Sequence, residues 1–324
     1  MNLPAEFVSN IQNTFREDGY AFLKSLPDSI AEASARWGLT DIQPAPTLSY
    51  NFVAFAKIPS PLTPPGGAHR GHPGREGDVV LKMGVPNREF LSEMETLRLF
   101  NGEGACKLLD YDEEKYWMLL ERLTPGVMLA EMEDDEKATR IATEVMQKIW
   151  RFDYEATDTS LRSARAQFIK LSDWFEGLKK LRRMYDGGTG PLNEKLVERV
   201  ETSVRDFLQE NHHPVLMHGD FHHYNILSSE RGWLVIDPKG VIGPAGYEVG
   251  PLLMNPWGEL INRSDIRRIT RRRIAILHEQ LGFERERIHA WGLAHAILSA
   301  WWSIEDNTGW EYAAAFSEMM ADLD

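Results

Sequence analysis

The chain has 324 residues, 43% hydrophobic and 26% charged, with a formal net charge of -13. Such a chain can bury a real core, which excludes global disorder, and its length suits two domains or one enzyme of two lobes. The acidic balance argues against a nucleic-acid partner, no apolar run is long enough for a membrane helix, and the lone Cys106 without a secretory leader points to a reducing cytoplasm.

The first 40 residues read as helices, with Phe7, Ile11 and Phe15 and then Ile30, Ala33 and Trp37 at helical spacing. Leu48, Tyr50 and Phe52 alternate as in a strand, and Asp78 to Met83 form a second β-rich run. Between them, Pro59–Gly77 is dense in Pro, Gly and His and reads as a long loop, functional or mobile. A helix fits Asn87–Phe100. The segments Cys106–Leu109 and Tyr116–Leu120 read as short strands, and Thr124-Pro125-Gly126 ends the pattern. Beyond it the chain turns helical, with Asp134 or Asp135 able to cap a helix carrying Ile141, Val145 and Ile149. Phe168, Leu171 and Trp174 mark another helix, and Leu192, Leu196, Val200 and Val204 a third. Two short apolar runs, Val215–Met217 and Trp233–Ile236, interrupt the helices, which resume after Asn262. Arg267, Arg268, Arg271, Arg272 and Arg273 form a basic helix face, most simply a solvated one. Trp291, Trp301 and Trp302 fit the core side of the last long helix.

Both apolar interruptions end in residues that can do chemistry. The first runs into His218-Gly219-Asp220-Phe221-His222-His223-Tyr224-Asn225, the second into Asp237-Pro238-Lys239-Gly240. Phosphoryl transfer needs one carboxylate to orient or deprotonate the attacking hydroxyl. It needs a second carboxylate and an amide oxygen to hold magnesium, a hard cation that prefers oxygen. The order H-x-D-x-x-x-x-N followed by D-x-x-G supplies these groups at kinase catalytic-loop spacing. The histidines at 218, 222 and 223 do not form a zinc spacing, and no Cys or Glu completes a ligand set. Lys82, ending an apolar strand, gains a phosphate role from this context. Lys239 either offsets phosphate charge or pairs with Glu248.

On these residues the chain resembles the aminoglycoside phosphotransferase family, and "VIDPKGVIGPAGYEVGPLLMNP" and "RERIHAWGLAHAILSAWWSIED" resemble its streptomycin 6-phosphotransferase, or aminoglycoside/hydroxyurea resistance kinase, branch. The likeness runs from about Tyr50 to about Trp310. It implies an α+β, protein-kinase-like fold of two lobes. Residues 1–123 would form a small antiparallel-sheet lobe ending in a hinge, and residues 124–324 a larger helical lobe. It implies Asp220 as catalytic base, with Asn225 and Asp237 holding Mg²⁺. Lys82 would contact the ATP phosphates and pair with Glu93, with Glu89 and Glu95 as competitors. The backbone of Glu121 and Leu123 would hold adenine, and Asn51 and Phe52 would adjoin the nucleotide-covering loop. His218 would pin the catalytic loop. His222 would face phosphates or acceptor, and Glu305 and Asp306 would receive a cationic acceptor. The implied reaction moves the γ-phosphoryl of ATP to a hydroxyl of an aminoglycoside-like acceptor. Another small metabolite as acceptor and a nucleotide-binding module without turnover are the rival readings. Two features depart from the family pattern. The nucleotide-covering segment near Ser49–Phe52 lacks G-x-G-x-x-G, and Glu248 stands where relatives carry Asp.

Overall fold

The computed structural model describes residues 3–59, 77–150, 168–210, 213–256, 258 and 260–323. Residues 60–76, the body of the Pro59–Gly77 loop, lie outside the described residues. The chain divides into two compact units, one of residues 1–94 and 106–122, the other of residues 95–105 and 123–324.

The first unit is built on α1 (Ala5–Trp37), β1 (Thr40–Pro44), β2 (Asn51–Ile58), β3 (Gly77–Gly84), the start of α2 (Arg88–Phe100), β4 (Leu108–Asp112) and β5 (Trp117–Glu121). The five strands form one antiparallel sheet in the order β1-β2-β3-β5-β4. Alternation along β2 buries Phe52, Ala54 and Ala56, and these pack with Val79, Leu81 and Met83 of β3 against Phe7, Ile11, Leu26, Ile30 and Ala33 of α1. The helical stripe read from the sequence is thus the face that covers the sheet. Helix α1 is broken at Arg16, whose φ of 52° and ψ of -124° leave the helical region. Gly19 lies so close to the Ile11 carbonyl that a Cβ there would come within 2.3 Å of the oxygen, so only glycine fits.

The second unit contains β6 (Pro125–Met128), α3 (Asp135–Ile149), β7 (Ile169–Lys170), α4 (Leu171–Met184), α5 (Glu194–Gln209), β8 (Val215–Met217), β9 (Ile226–Ser229), β10 (Gly232–Val235), β11 (Val241–Gly243), α6 (Val249–Met254), α7 (Ile266–Leu281), α8 (Arg285–Glu305) and α9 (Glu311–Ala321). Asp134 caps α3, its side chain accepting from Lys137 N–H. Two small sheets, β10-β9-β6 and β7-β11-β8, carry the loops between them. Helix α8 is the central element. Its Trp291, Leu293, Ala294, Ile297, Leu298 and Trp301 are buried. Gly177 of α4 makes room for the Trp301 indole, and Gly246 for Trp291.

Two sequence expectations need correction. Thr124-Pro125-Gly126 does not merely end a pattern, because β6 begins at Pro125 and pairs with β9. The arginine face of α7 is not wholly solvated. Arg267, Arg268 and Arg272 make ion pairs near the surface, but Arg273 is only 2% exposed. Its guanidinium donates to Asp135 at the start of α3 and to the carbonyls of Leu252, Leu253 and Asn255 at the end of α6. No helix among the described residues is long and apolar enough to cross a membrane.

Candidate active site

Strand β8 hands the chain to a tight loop at His218–Asn225. Gly219, with φ of +87°, makes the turn. A Cβ there would meet Val241 and Trp174, so the backbone can pass only because position 219 is glycine. Both oxygens of buried Glu248 hold this turn, Oε2 accepting from His218 N–H at 2.7 Å and Oε1 from Gly219 N–H at 2.8 Å. The longer Glu therefore braces the loop directly. Burial raises the Glu248 carboxyl to about 7 against the pull of these two N–H donors. Replacing Glu248 by Gln turns one acceptor oxygen into a donor facing a backbone N–H. The expected result is a loss of about 1–3 kcal/mol in urea unfolding and a fall of more than about tenfold in kcat. A variant with unchanged stability and turnover would show that the carboxylate braces nothing.

His218 pins the loop to the segment after β10. Its Nδ1 accepts from Asp220 N–H at 3.2 Å, which places the ring proton on Nε2, where it is shared with the Ile236 carbonyl at 2.8 Å. Burial pushes this imidazole down to about 4, so it is neutral at physiological pH. Lys239 N–H donates to the His218 carbonyl, and Ile236 N–H to the Asn225 carbonyl at 3.0 Å. The two loops are therefore laced together by backbone bonds, with Asp220, Asn225 and Asp237 carried on the same lacing.

The Asp220 side chain is about one-third exposed. Burial would raise its carboxyl, but the His222 imidazole, then Lys239 and His218, outweigh that and hold it well below the usual carboxylate range. His222 responds in kind. Burial works against its charge, Asp220 favours it, and its pKa is raised. Its Nε2 lies 3.4 Å from both Asp220 Oδ1 and Asn225 Nδ2. Asn225 is buried and donates Nδ2 to the Asp220 carbonyl at 3.0 Å, which commits its amide nitrogen and turns its oxygen the other way. Asp237 takes a φ of +59°, a left-handed conformation that aspartate tolerates better than most residues. An amide oxygen plus a carboxylate is an oxygen-only donor set, which suits magnesium and not zinc. Among the described residues no group of three or more His, Cys, Asp and Glu could hold a metal ion by itself.

In the first unit, Lys82 of β3 and Glu93 of α2 are both buried, with Lys82 Nζ 2.6 Å from each Glu93 oxygen. Glu95, one of the competitors, instead pairs with Arg98. Glu121 closes β5, its N–H donating to the Lys107 carbonyl at 2.9 Å and its Oε2 accepting from Lys107 N–H. Leu123 is buried and begins the next stretch of the second unit. Asn51 sits at the start of β2 opposite Gly84, but Phe52 differs from expectation. Its ring is wholly buried in the core under the sheet, so it offers no side-chain surface to a nucleotide. Glu305 and Asp306 lie at the exposed end of α8, where Lys180 pairs with Glu305 at 3.0 Å.

A family model for aminoglycoside/hydroxyurea antibiotic resistance kinases matches residues 70–307. The chain belongs to this kinase family. Streptomycin 6-kinase of Streptomyces glaucescens is 29% identical over 311 residues, covering 95% of this chain and 92% of that protein. Hydroxyurea phosphotransferase of Kitasatospora aureofaciens is 28% identical over 94% of this chain and 81% of its own length. Among solved structures, a thermostable mutant of aminoglycoside phosphotransferase APH(4)-Ia in complex with ADP and hygromycin B aligns with a TM-score of 0.59 at 13% identity. It covers 90% of this chain and 96% of its own. A choline/ethanolamine kinase family protein from Mesorhizobium loti aligns with a TM-score of 0.57 at 14% identity. These likenesses identify the fold as protein-kinase-like, with a small antiparallel sheet and a helix-rich remainder.

Beside the loop of this kinase the structure also places groups to which the sequence reading gave no role. Tyr247 and His295 are buried next to the loop, with the Tyr247 hydroxyl 3.0 Å from His295 Nδ1, and both feel the charge of Asp220. Trp174 lies against Gly219. Trp174 reads as an ordinary helix residue with Phe168 and Leu171, and no local spacing singles out Tyr247 or His295.

Proposed function

We propose that this kinase moves the γ-phosphoryl of MgATP to a hydroxyl of an aminoglycoside-like acceptor that carries positive charge. The arrangement that carries this reading is the laced pair of loops bearing Asp220, Asn225 and Asp237. Asp220 is ionised at neutral pH and strongly so, which makes it a good hydrogen-bond acceptor and a weak base. It orients the attacking hydroxyl and takes its proton late, as the phosphoryl group departs from its leaving oxygen. The Asn225 oxygen and the Asp237 carboxylate would hold magnesium, which supplies positive charge to the phosphate oxygens when bound. Lys82, fixed by Glu93, offers a preorganised ammonium to the α- and β-phosphates. The backbone of Glu121 and Leu123 is the adenine contact in this reading, and Asn51 adjoins the phosphate-covering segment. The net charge of -13 favours a cationic acceptor.

Mass spectrometry of products formed with MgATP, from streptomycin and from a panel of sugars and amino alcohols, tests the reading. The expected product is streptomycin carrying one added phosphoryl group. Phosphorylation of a neutral sugar alone would move the assignment to another metabolite, and ATP binding with no product on any acceptor would leave a nucleotide-binding module.

A further inference from the structure

Four aromatic rings of the second unit pack together, one of them against Gly219, the residue before Asp220. Trp174 on α4 and Trp302 in the last turn of α8 meet edge to face, centroids 5.2 Å apart at 85°. Beneath them lie buried Tyr247, 5.9 Å from Trp174, and buried His295, 6.3 Å from Trp302. The tip of the Trp174 ring reaches within 3.0 Å of where a Cβ on Gly219 would stand, one residue before Asp220.

The exposure of these rings is not that of a core. Trp291 and Trp301 on the same helix are fully buried, whereas Trp302 and Trp174 are only half-buried. Two large indoles at right angles, one of them against Gly219, are each held partly in water, where part of a π system is open to a ligand. Two carboxylates stand at the end of the helix that carries Trp302. Glu305 lies three residues beyond Trp302, on the same side of the helix, and Asp306 follows it. Burial and then the neighbouring Glu305 raise the Asp306 carboxyl, a pair that a cation would relieve. Among the described residues Glu305 is answered by Lys180, and no ion pair is formed by Asp306. A guanidinium or ammonium over an indole face is attracted by the ring quadrupole, most strongly where water is partly excluded.

We propose that Trp174 and Trp302 form the wall on which a guanidinium or ammonium group of the acceptor stacks, and that they set acceptor specificity. This inference rests on the transferase reading above. The wall holds the acceptor by its cation while Asp220 addresses its hydroxyl, so the two residues contribute to binding and not to the chemical step.

The test uses the full chain and the variants Trp174→Leu, Trp302→Leu, Trp174→Phe and Trp302→Phe, assayed with streptomycin at saturating MgATP. The Leu variants are expected to raise the streptomycin KM about tenfold, with kcat and the KM for ATP within about twofold of the parent. The Phe variants, which keep an aromatic face, are expected to recover most of that loss. If the Leu variants do not fold, the Phe variants are judged against the parent, with a rise of about threefold in streptomycin KM expected and none in the KM for ATP. An unchanged streptomycin KM, or a parallel loss in kcat and ATP affinity, would overturn the proposal by showing a structural role. Failure of the transferase reading is seen separately, as absence of phosphorylated product from the parent chain. In that case calorimetric titration with streptomycin alone decides, since binding weakened about tenfold by the Leu variants supports the wall and binding they leave unchanged removes it.

Discussion

Asp220→Asn is expected to lower kcat by at least about 10²-fold while the fold and ATP binding survive. The separation follows from how the loop is held. Every bond that shapes the turn is made by other groups. The Asp220 backbone N–H goes to His218, its carbonyl takes the Asn225 amide, and Glu248 holds the two preceding N–H groups. The Asp220 carboxylate itself meets only the His222 imidazole, at 3.4 Å among the described residues. An amide of the same shape keeps that geometry but cannot take a proton or attract the hydroxyl as an anion does. The same change removes the charge that keeps the His222 pKa raised, so that imidazole should titrate lower in the variant. Steady-state kinetics with ATP-binding calorimetry and thermal unfolding give the three readouts. Turnover within tenfold of the parent in a folded Asp220→Asn protein would remove this residue from the chemistry.

Arg273→Leu is expected to cost about 3–5 kcal/mol of stability. The guanidinium is 2% exposed and satisfies the Asp135 carboxylate together with three main-chain carbonyls at the end of α6. A leucine fills much of the volume but leaves those acceptors in a low-dielectric interior with fewer donors. Arg272 still reaches Asp135 at 3.0 Å, which limits the loss on the carboxylate but not on the carbonyls. A chain of this size should then melt about 4–7 °C lower. Pairing the change with Asp135→Leu should cost less than the sum of the two singles, because the second removes a charge the first has stranded. A loss below about 1 kcal/mol in urea or thermal unfolding would show that the surrounding structure relaxes around the cavity. The Arg273 charge also lowers the pKa of buried His223 in the His218–Asn225 loop, after burial itself. A helix remote in sequence is thereby felt beside Asn225.

Much of the site is visible without coordinates because the chemistry is local. His218 through Asn225 and Asp237 lie on two short segments, and the spacing of a strand end, a turn and a second strand end is written in contiguous residues. Lys82 and Glu93 are legible for the same reason, since a strand and the helix after it bring them together, although spacing alone does not choose Glu93 over Glu89 and Glu95. That the Phe52 ring is covered was not legible, because alternation tells which residues share a face but not which face is covered. Helix α1, distant in sequence, covers it.

Periodicity, a turn glycine and the order of four functional groups point to most of the elements and to the His218–Asn225 loop, since each depends on neighbours a few residues apart. Tertiary structure alone decided that Glu248 grips the turn, that Arg273 is interior, and that Trp174 lies against Gly219 with Trp302 packed on it. Those facts depend on helices packing across long separations, where burial and charge are set by partners that no local pattern names.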